Sequence, residues 1–229
     1  FFGYVFMQRT ARTAAFVRYP VVVQAIAVVV LLVAGGTFWQ WLYVLGVGLI
    51  GTLVYQLWYS KLDRAPSEVL RVGQTLPSLT FEDADGNPVN TGDLAGPLLL
   101  IFYRGNWCPL CMAQVKEVAS QYRELEARGV TTLLISPQSH DNTRDLARRF
   151  DVPFRFLVDT DLKVARELGL FAPGGTPMGM EVLGYDSDTV FPTVVMTDAG
   201  QRILFVDETD NYRIRPEPET FLNVLDQAV

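Results

Sequence analysis

Histidine and cysteine are scarce in this chain, whose 229 residues include only two cysteines, Cys108 and Cys111, and one histidine, His140. A structural zinc site normally takes four cysteine or histidine ligands. These three side chains cannot complete such a site without ligands from a second chain. We therefore expect no metal ion bound by this chain alone.

Basic residues are outnumbered in the larger, C-terminal part of the chain. From residue 65 onward there are 14 basic and 24 acidic residues, a net charge of −10. Nucleic acids and anionic membrane faces attract surfaces of the opposite, positive sign. This balance disfavours nucleic acid as a partner.

Charged residues are absent from two N-terminal stretches, 21–34 and 38–59, which are almost wholly apolar. Because about 20 apolar residues span a bilayer core, we predict membrane helices at about 20–36 and 38–59. They would form a lipid-embedded hairpin anchor within residues 1–64. The first stretch is short, so a tilted, interfacial or re-entrant helix is an alternative there. A cleaved signal peptide is its other reading, but the second apolar run argues against it.

The flanking charges predict the orientation of this anchor. Arg9, Arg12 and Arg18 precede the first stretch, Lys61 and Arg64 follow the second, and the turn carries no charge. Basic residues concentrate on the cytoplasmic side of membrane proteins. We expect a bacterial inner membrane with the following domain in the cytoplasm, or in the periplasm if the first stretch does not span.

A glycine pattern in the second stretch matches a nucleotide-binding motif without its context. Gly46, Gly48 and Gly51 fit G-x-G-x-x-G, but they lie inside an apolar run rather than after a strand. Small residues let membrane helices approach closely. We interpret these glycines as a contact face within the hairpin or with other transmembrane subunits.

The two cysteines stand where a predicted strand meets a predicted helix. The apolar run 98–101 predicts a buried strand, and a helix is predicted from Cys108 to about residue 127. A helix N-terminus favours the thiolate of Cys108, which could then form a disulfide with Cys111. Pro109 suits the first helical turn. Two unreactive core cysteines are the alternative.

The remaining pattern from residue 65 to 229 alternates strands and helices, as in an α/β domain. We predict a hairpin at 79–89, further strands at 130–135, 154–158 and 201–207, helices at 141–150, 162–168 and 218–229, and a long loop at 172–189. Asp141 or Asn142 is the expected cap of the helix at 141–150.

The stretch 102–111, Phe-Tyr-Arg-Gly-Asn-Trp-Cys-Pro-Leu-Cys, resembles the thioredoxin-like superfamily, in its alkyl hydroperoxide reductase/thiol-specific antioxidant branch. The similarity extends over 72–229 and includes Gly-Gln-Thr-Leu-Pro at 73–77, Leu-Ile-Ser-Pro-Gln at 134–138 and Phe-Pro-Thr-Val-Val-Met-Thr-Asp-Ala-Gly at 191–200. The resemblance implies a thioredoxin-like fold, a central mixed sheet flanked by helices. It implies no cofactor beyond a redox-active disulfide.

Departures from the peroxiredoxin pattern favour disulfide exchange. A Pro-x-x-x-Thr-x-x-Cys signature would place its proline on Arg104, its threonine on Cys108 and its peroxidatic cysteine on Cys111. The family's arginine would fall near Phe191. The next residue, Pro192, resembles instead the cis-proline opposite a thioredoxin C-x-x-C.

Five further side chains are expected to support the cysteines. Trp107 would cover the dithiol, Arg104 would place a positive charge near the sulfurs, and Thr193 would accompany Pro192. His140 follows the loop after a predicted strand and is a candidate for proton transfer, although a capping or solvated histidine is more common there.

The sequence thus predicts a membrane-anchored thiol–disulfide oxidoreductase. Cys108 would attack a protein disulfide, Cys111 would resolve the mixed disulfide, and a thiol donor would restore the dithiol. The first alternative is a thiol peroxidase with antioxidant activity, in which hydroperoxide oxidises Cys111. The second is an assembly subunit of a membrane complex, in which the anchor matters more than the thiols.

Overall fold

The computed structural model describes residues 18–228, which form two compact units. The N-terminal unit contains residues 18–63 together with Asp210–Ile214. The sheet unit contains Arg64–Thr209 and the residues from 215 onward. Arg64 packs within the sheet unit, whereas the sequence analysis grouped it with the N-terminal segment.

The N-terminal unit contains two apolar helices, α1 (Arg18–Ala34) and α2 (Phe38–Tyr59). Thr37 begins α2 with a capping box that it shares with Gln40. Within the described residues, only α2, with 22 residues, is long and apolar enough to cross a membrane; α1 has 17. The two helices follow the predicted segments, but a spanning hairpin is not established. Arg9 and Arg12 lie outside the described residues.

One glycine of the predicted contact face meets the other helix. The side-chain amide of Gln24 in α1 occupies the space that a Cβ atom on Gly48 would need. Among the described residues, a Cβ on Gly46 would touch only the Leu42 side chain of its own helix, and one on Gly51 would meet no atom within 4 Å. The missing side chain of Gly48 therefore allows α1 and α2 to approach closely.

A short C-terminal segment, Asp210–Ile214, belongs to the N-terminal unit through hydrogen bonds to the end of α2. The Tyr55 and Tyr212 hydroxyls are 2.6 Å apart, and the Tyr212 backbone N–H donates to the Ser60 carbonyl. The Arg213 guanidinium donates to the Ser60 hydroxyl at 2.9 Å. The hydrophobic pattern of the sequence does not predict this association of residues 210–214 with α2.

The sheet unit is built on a mixed sheet with the strand order β2-β1-β5-β4-β3-β8-β9. Its strands are β1 (Thr80–Asp83), β2 (Pro88–Asn90), β3 (Leu98–Phe102), β4 (Thr131–Ser136), β5 (Arg155–Val158), β8 (Thr193–Thr197) and β9 (Ile203–Asp207). Strand β4 runs parallel to β3 and β5, and β8 runs antiparallel to β3. Every residue of β3 is buried, as its apolar run predicts. This sheet confirms the expected thioredoxin-like α/β class.

The helices of the sheet unit correct two predictions. They are α3 (Pro109–Ser120), α4 (Tyr122–Ala127), α5 (His140–Ala147), α6 (Lys163–Glu167) and α7 (Pro218–Ala228). The helix predicted to run to residue 127 is interrupted at Gln121, whose backbone (φ −111°, ψ 17°) leaves the helical region. Helix α5 is capped by the Ser139 hydroxyl, which accepts from the Asn142 N–H. Asp141 and Asn142 therefore lie inside the helix instead of capping it.

The long loop predicted at 172–189 has a closed neck. Two short antiparallel strands, β6 (Phe171–Ala172) and β7 (Thr189–Val190), pair at its base. The loop tip contains a 3₁₀ turn, Met180–Leu183, and exposes the Met178 side chain. Pairing at the neck fixes where the loop leaves the sheet.

Candidate active site

The two cysteines form a disulfide at the N-terminus of α3. Cys108 is the N-cap residue, and its sulfur accepts a hydrogen bond from the Cys111 backbone N–H at 3.2 Å. Pro109 occupies the first turn, where its missing N–H leaves no intrahelical bond unmade. In the reduced protein the same N–H and the helix dipole would stabilise a thiolate on Cys108. Both cysteines are buried.

The loop between β3 and α3 turns sharply before Cys108. The Cys108 N–H donates to the Gly105 carbonyl at 3.1 Å. Gly105 has φ +139°, a conformation that favours glycine. A Cβ atom there would lie 2.9 Å from the Trp107 indole nitrogen. The Trp107 ring therefore folds against the glycine of its own loop.

Arg104 joins Trp107 to the neck of the long loop. Its guanidinium carbon lies 4.6 Å from the centre of the Trp107 ring, a cation–π geometry. The guanidinium also donates to the Gly175 carbonyl, and the Thr189 hydroxyl donates to the Arg104 carbonyl at 3.0 Å. These contacts show where the guanidinium binds, and a direct effect of its charge on the sulfurs stays a prediction.

Pro192 and Thr193 lie at the end of the sheet where β3 ends and the loop that carries the cysteines begins. Thr193 begins β8 and is in register with Phe102, the last residue of β3. The peptide bond before Pro192 is trans, since no cis bond occurs in the described chain. The cis geometry suggested by the resemblance is therefore wrong for this structure.

Arg64 holds the Pro192 segment in place. Its guanidinium donates to the Pro192 carbonyl at 3.2 Å and to the Thr193 hydroxyl at 3.0 Å. It forms an ion pair with Glu208 at 2.9 Å and lies 5.0 Å from the centre of the Phe191 ring. The Arg64 side chain is only 1% exposed. From the sequence, Arg64 was predicted only as a charge that flanks the second apolar stretch.

Further charges are buried close to these groups. Burial lowers the pKa of Arg215 to about 10. The positive charges of Arg104 and Arg64 also lower this pKa, whereas the Asp207 carboxylate raises it. Burial raises the pKa of Asp207, against the lowering effects of Arg215, the Thr209 N–H and Arg64. Arg215 stays protonated at neutral pH and is therefore a buried cation that composition could not reveal.

His140 is directed towards β1. Its Nε2 atom lies 2.8 Å from a Glu82 carboxylate oxygen. The residue is also the first of α5, next to the capping Ser139. The structure thus gives His140 a partner on a neighbouring strand, and proton transfer to the dithiol stays a prediction.

Gln138 is a site residue that the sequence analysis quoted only within a strand motif. Its side-chain oxygen accepts from the Asn106 N–H at 2.9 Å, and its nitrogen lies 3.1 Å from the Tyr103 hydroxyl. Asn106 also donates its side-chain N–H to the Asn142 carbonyl at 2.9 Å. The dithiol loop is therefore bound to the segment between β4 and α5.

Comparisons with known proteins identify a family and several relatives that this chain resembles. The AhpC/TSA family matches residues 72–205. Peroxiredoxin Q, chloroplastic, from Sedum lineare is 29% identical over 139 residues, which cover 60% of this chain and 74% of that protein. Thiol-disulfide oxidoreductase ResA from Halalkalibacterium halodurans is 23% identical over 134 residues, or 58% of this chain and 74% of that protein. The chain spans 46 to 65% of the length of five further relatives of the peroxiredoxin Q type.

A solved structure shares the fold of this chain. The crystal structure of peroxidoxin BcpB from Mycobacterium tuberculosis superposes with a TM-score of 0.54 at 21% identity, covering 70% of this chain and 99% of that one. The family match includes the β3 strand, the C-x-x-C disulfide and most of β9. The chain is therefore an oxidoreductase, and it belongs to the AhpC/TSA family.

Proposed function

We propose that this chain is a membrane-anchored thiol–disulfide oxidoreductase in which Cys108 is the nucleophile and Cys111 the resolving cysteine. The observation that carries the proposal is the position of Cys108 at the N-cap of α3, where its sulfur accepts the Cys111 N–H. This arrangement favours the thiolate of the first cysteine and places the second within bonding reach.

The reaction moves two electrons from the dithiol to a protein disulfide. The Cys108 thiolate attacks one substrate sulfur, which breaks the substrate disulfide, releases one thiolate and forms a mixed disulfide. Cys111 then loses its proton and attacks the Cys108 sulfur, which releases the second substrate thiolate and closes the internal disulfide. A thiol donor must reduce that disulfide before the next cycle.

Peroxide reduction is the second candidate, and the peroxiredoxin Q relatives favour it. The Cys111 thiolate would attack a hydroperoxide oxygen and break the O–O bond, giving a sulfenic acid and an alkoxide, which takes a proton from water and leaves as an alcohol. Cys108 would then condense with the sulfenic acid and release water. The replaced threonine and proline, and the arginine missing near position 191, count against it.

Oxidation assays on the reduced full chain, purified in mild detergent, distinguish these reactions. We expect fast oxidation by insulin as a protein disulfide, slow oxidation by one equivalent of hydrogen peroxide, and a mixed disulfide through Cys108 in the Cys111→Ser variant. Intact mass and peptide mapping identify each product.

Two other outcomes would overturn the proposal. Peroxide oxidation that is orders of magnitude faster than that of a free thiol, with a sulfenic acid on Cys111 in the Cys108→Ser variant, indicates a peroxidase. Slow reaction with both oxidants, together with an intact membrane complex after replacing both cysteines with serine, indicates an assembly subunit.

The anchor is part of the same proposal. Helix α2 has spanning length, and the turn before it carries no charge, while Arg18 is the first residue of α1 and Lys61 follows α2. These charges support a hairpin that crosses twice and leaves the sheet unit in the cytoplasm.

Cysteine labelling in intact bacterial cells tests this orientation. In a chain without Cys108 and Cys111, we expect Thr37→Cys to react with a membrane-impermeant maleimide. The matched variant Glu68→Cys, at an exposed position of the sheet unit, should react only after lysis. The reverse pattern would place the sheet unit outside the cytoplasm.

A further inference from the structure

A buried glutamine amide connects the dithiol loop to two other elements. Gln138 is 4% exposed and follows β4. Its oxygen accepts from the Asn106 N–H at 2.9 Å, and its nitrogen contacts the Tyr103 and Thr143 hydroxyls at 3.1 and 3.2 Å. Asn106 lies two residues before Cys108.

The orientation of this amide is fixed by its partners. A backbone N–H can only donate, so the atom that faces Asn106 must be the Gln138 oxygen. The two hydrogens of the Gln138 nitrogen then meet two hydroxyl oxygens, which can accept. Burial raises the pKa of Tyr103 well above its usual range. The Tyr103 hydroxyl therefore stays neutral at physiological pH.

The bond to Asn106 stabilises the turn that presents Cys108. Gly105 and Cys108 close this turn through a backbone hydrogen bond of 3.1 Å. The Asn106 N–H points out of the turn and is satisfied by Gln138. Without that acceptor, the Asn106 N–H would lose its hydrogen-bond partner, and an unpaired backbone donor is unfavourable. The turn would relax, and the Cys108 sulfur would move relative to the Cys111 N–H.

We propose that Gln138 is a positioning residue for the dithiol, which holds the turn before Cys108 so that this sulfur stays at the helix N-cap. The proposal rests on the proposed function, in which Cys108 is the nucleophile. Gln138 itself does not touch the reacting sulfur; it acts through Asn106.

The pH profile of Cys108 alkylation tests this role. All variants carry Cys111→Ser in the full chain, so that iodoacetamide reports on Cys108 alone. We expect Gln138→Met to raise the midpoint of the alkylation profile by about one pH unit, which reduces the thiolate fraction about tenfold below the midpoint. Tyr103→Phe removes one hydroxyl that orients the amide and should shift the midpoint in the same direction by less.

The matched control is Gln114→Met, which makes the same replacement at another buried position. Gln114 lies in α3, is 2% exposed, and its side-chain nitrogen has no hydrogen-bond partner among the described residues. Its midpoint should equal that of the Cys111→Ser parent. Equal midpoints for Gln138→Met and Gln114→Met would overturn the proposal, and if Gln138→Met does not fold, an unshifted Tyr103→Phe would do the same.

Failure of this inference differs from failure of the proposed function. The alkylation midpoint requires no substrate, so a shifted midpoint supports the positioning role even if no protein disulfide reacts. Rapid exchange in the wild type with an unshifted Gln138→Met midpoint would contradict the positioning role and leave the proposed function intact.

Discussion

Replacing Arg64 with methionine is expected to lower the free energy of unfolding of the full chain by about 3–5 kcal/mol, the usual cost of breaking a buried ion pair on one side. The Arg64 side chain is 1% exposed and its partner Glu208 only 15%. Methionine keeps much of the volume but leaves the Glu208 carboxylate without its cation. Chemical denaturation followed by circular dichroism measures the change.

The same substitution should slow disulfide exchange. Arg64 supplies two hydrogen bonds to Pro192 and Thr193, and a methionine cannot replace either one. These residues lie at the end of the sheet where the dithiol loop begins, because Thr193 is in register with Phe102, the last residue of β3. A fragment cut between residues 64 and 65 would lack the same contacts. Assays of the sheet unit should therefore use a chain that includes Arg64.

Arg71→Met is the matched control for this prediction. Arg71 lies seven residues further along the chain, and its side chain is exposed. A surface substitution of this kind changes the free energy of unfolding by about 0.5 kcal/mol or less. Similar stabilities for the Arg64 and Arg71 variants would show that the buried pair contributes little to the fold.

The strands and the cysteine motif were predictable because they depend on local pattern. The apolar run at 98–101 is typical of a strand buried on both faces, and β3 has that burial. The spacing of Cys108 and Cys111 allows a disulfide across one helical turn, and the structure contains it. Such features require no knowledge of distant residues.

The contacts around the dithiol were not predictable because they join residues far apart in the sequence. Arg64 meets Thr193 across 129 positions, and Gln138 meets Asn106 across 32. Arg64 belongs to no motif, and the motif at 134–138 that ends at Gln138 does not indicate which residue its amide binds. The break at Gln121 was not predicted either, because no glycine or proline marks it in the sequence.

Gly105→Ala is expected to reduce the rate of disulfide exchange by roughly ten- to a hundredfold, because a displacement of about 1 Å at a reacting group can have that effect. The backbone conformation at Gly105, with φ +139°, is strained for alanine and costs on the order of 1–3 kcal/mol. The added Cβ would also lie 2.9 Å from the Trp107 indole nitrogen. The turn or the Trp107 ring must therefore move. Cys108 is the next residue in the chain, so its sulfur is expected to move as well. Exchange kinetics with insulin measure the effect.

Gly86→Ala separates the backbone cost from the effect on the site. Gly86 has φ +86° in the turn between β1 and β2, and a Cβ there would meet no atom of the described residues within 4 Å. This variant should lose a comparable amount of stability and exchange disulfides at the wild-type rate. If both alanine variants slow exchange equally, general destabilisation accounts for the loss. If only Gly105→Ala does so, the packing of Trp107 against Gly105 sets the position of Cys108, because both glycines have a positive φ and the two variants differ in what the new methyl group contacts.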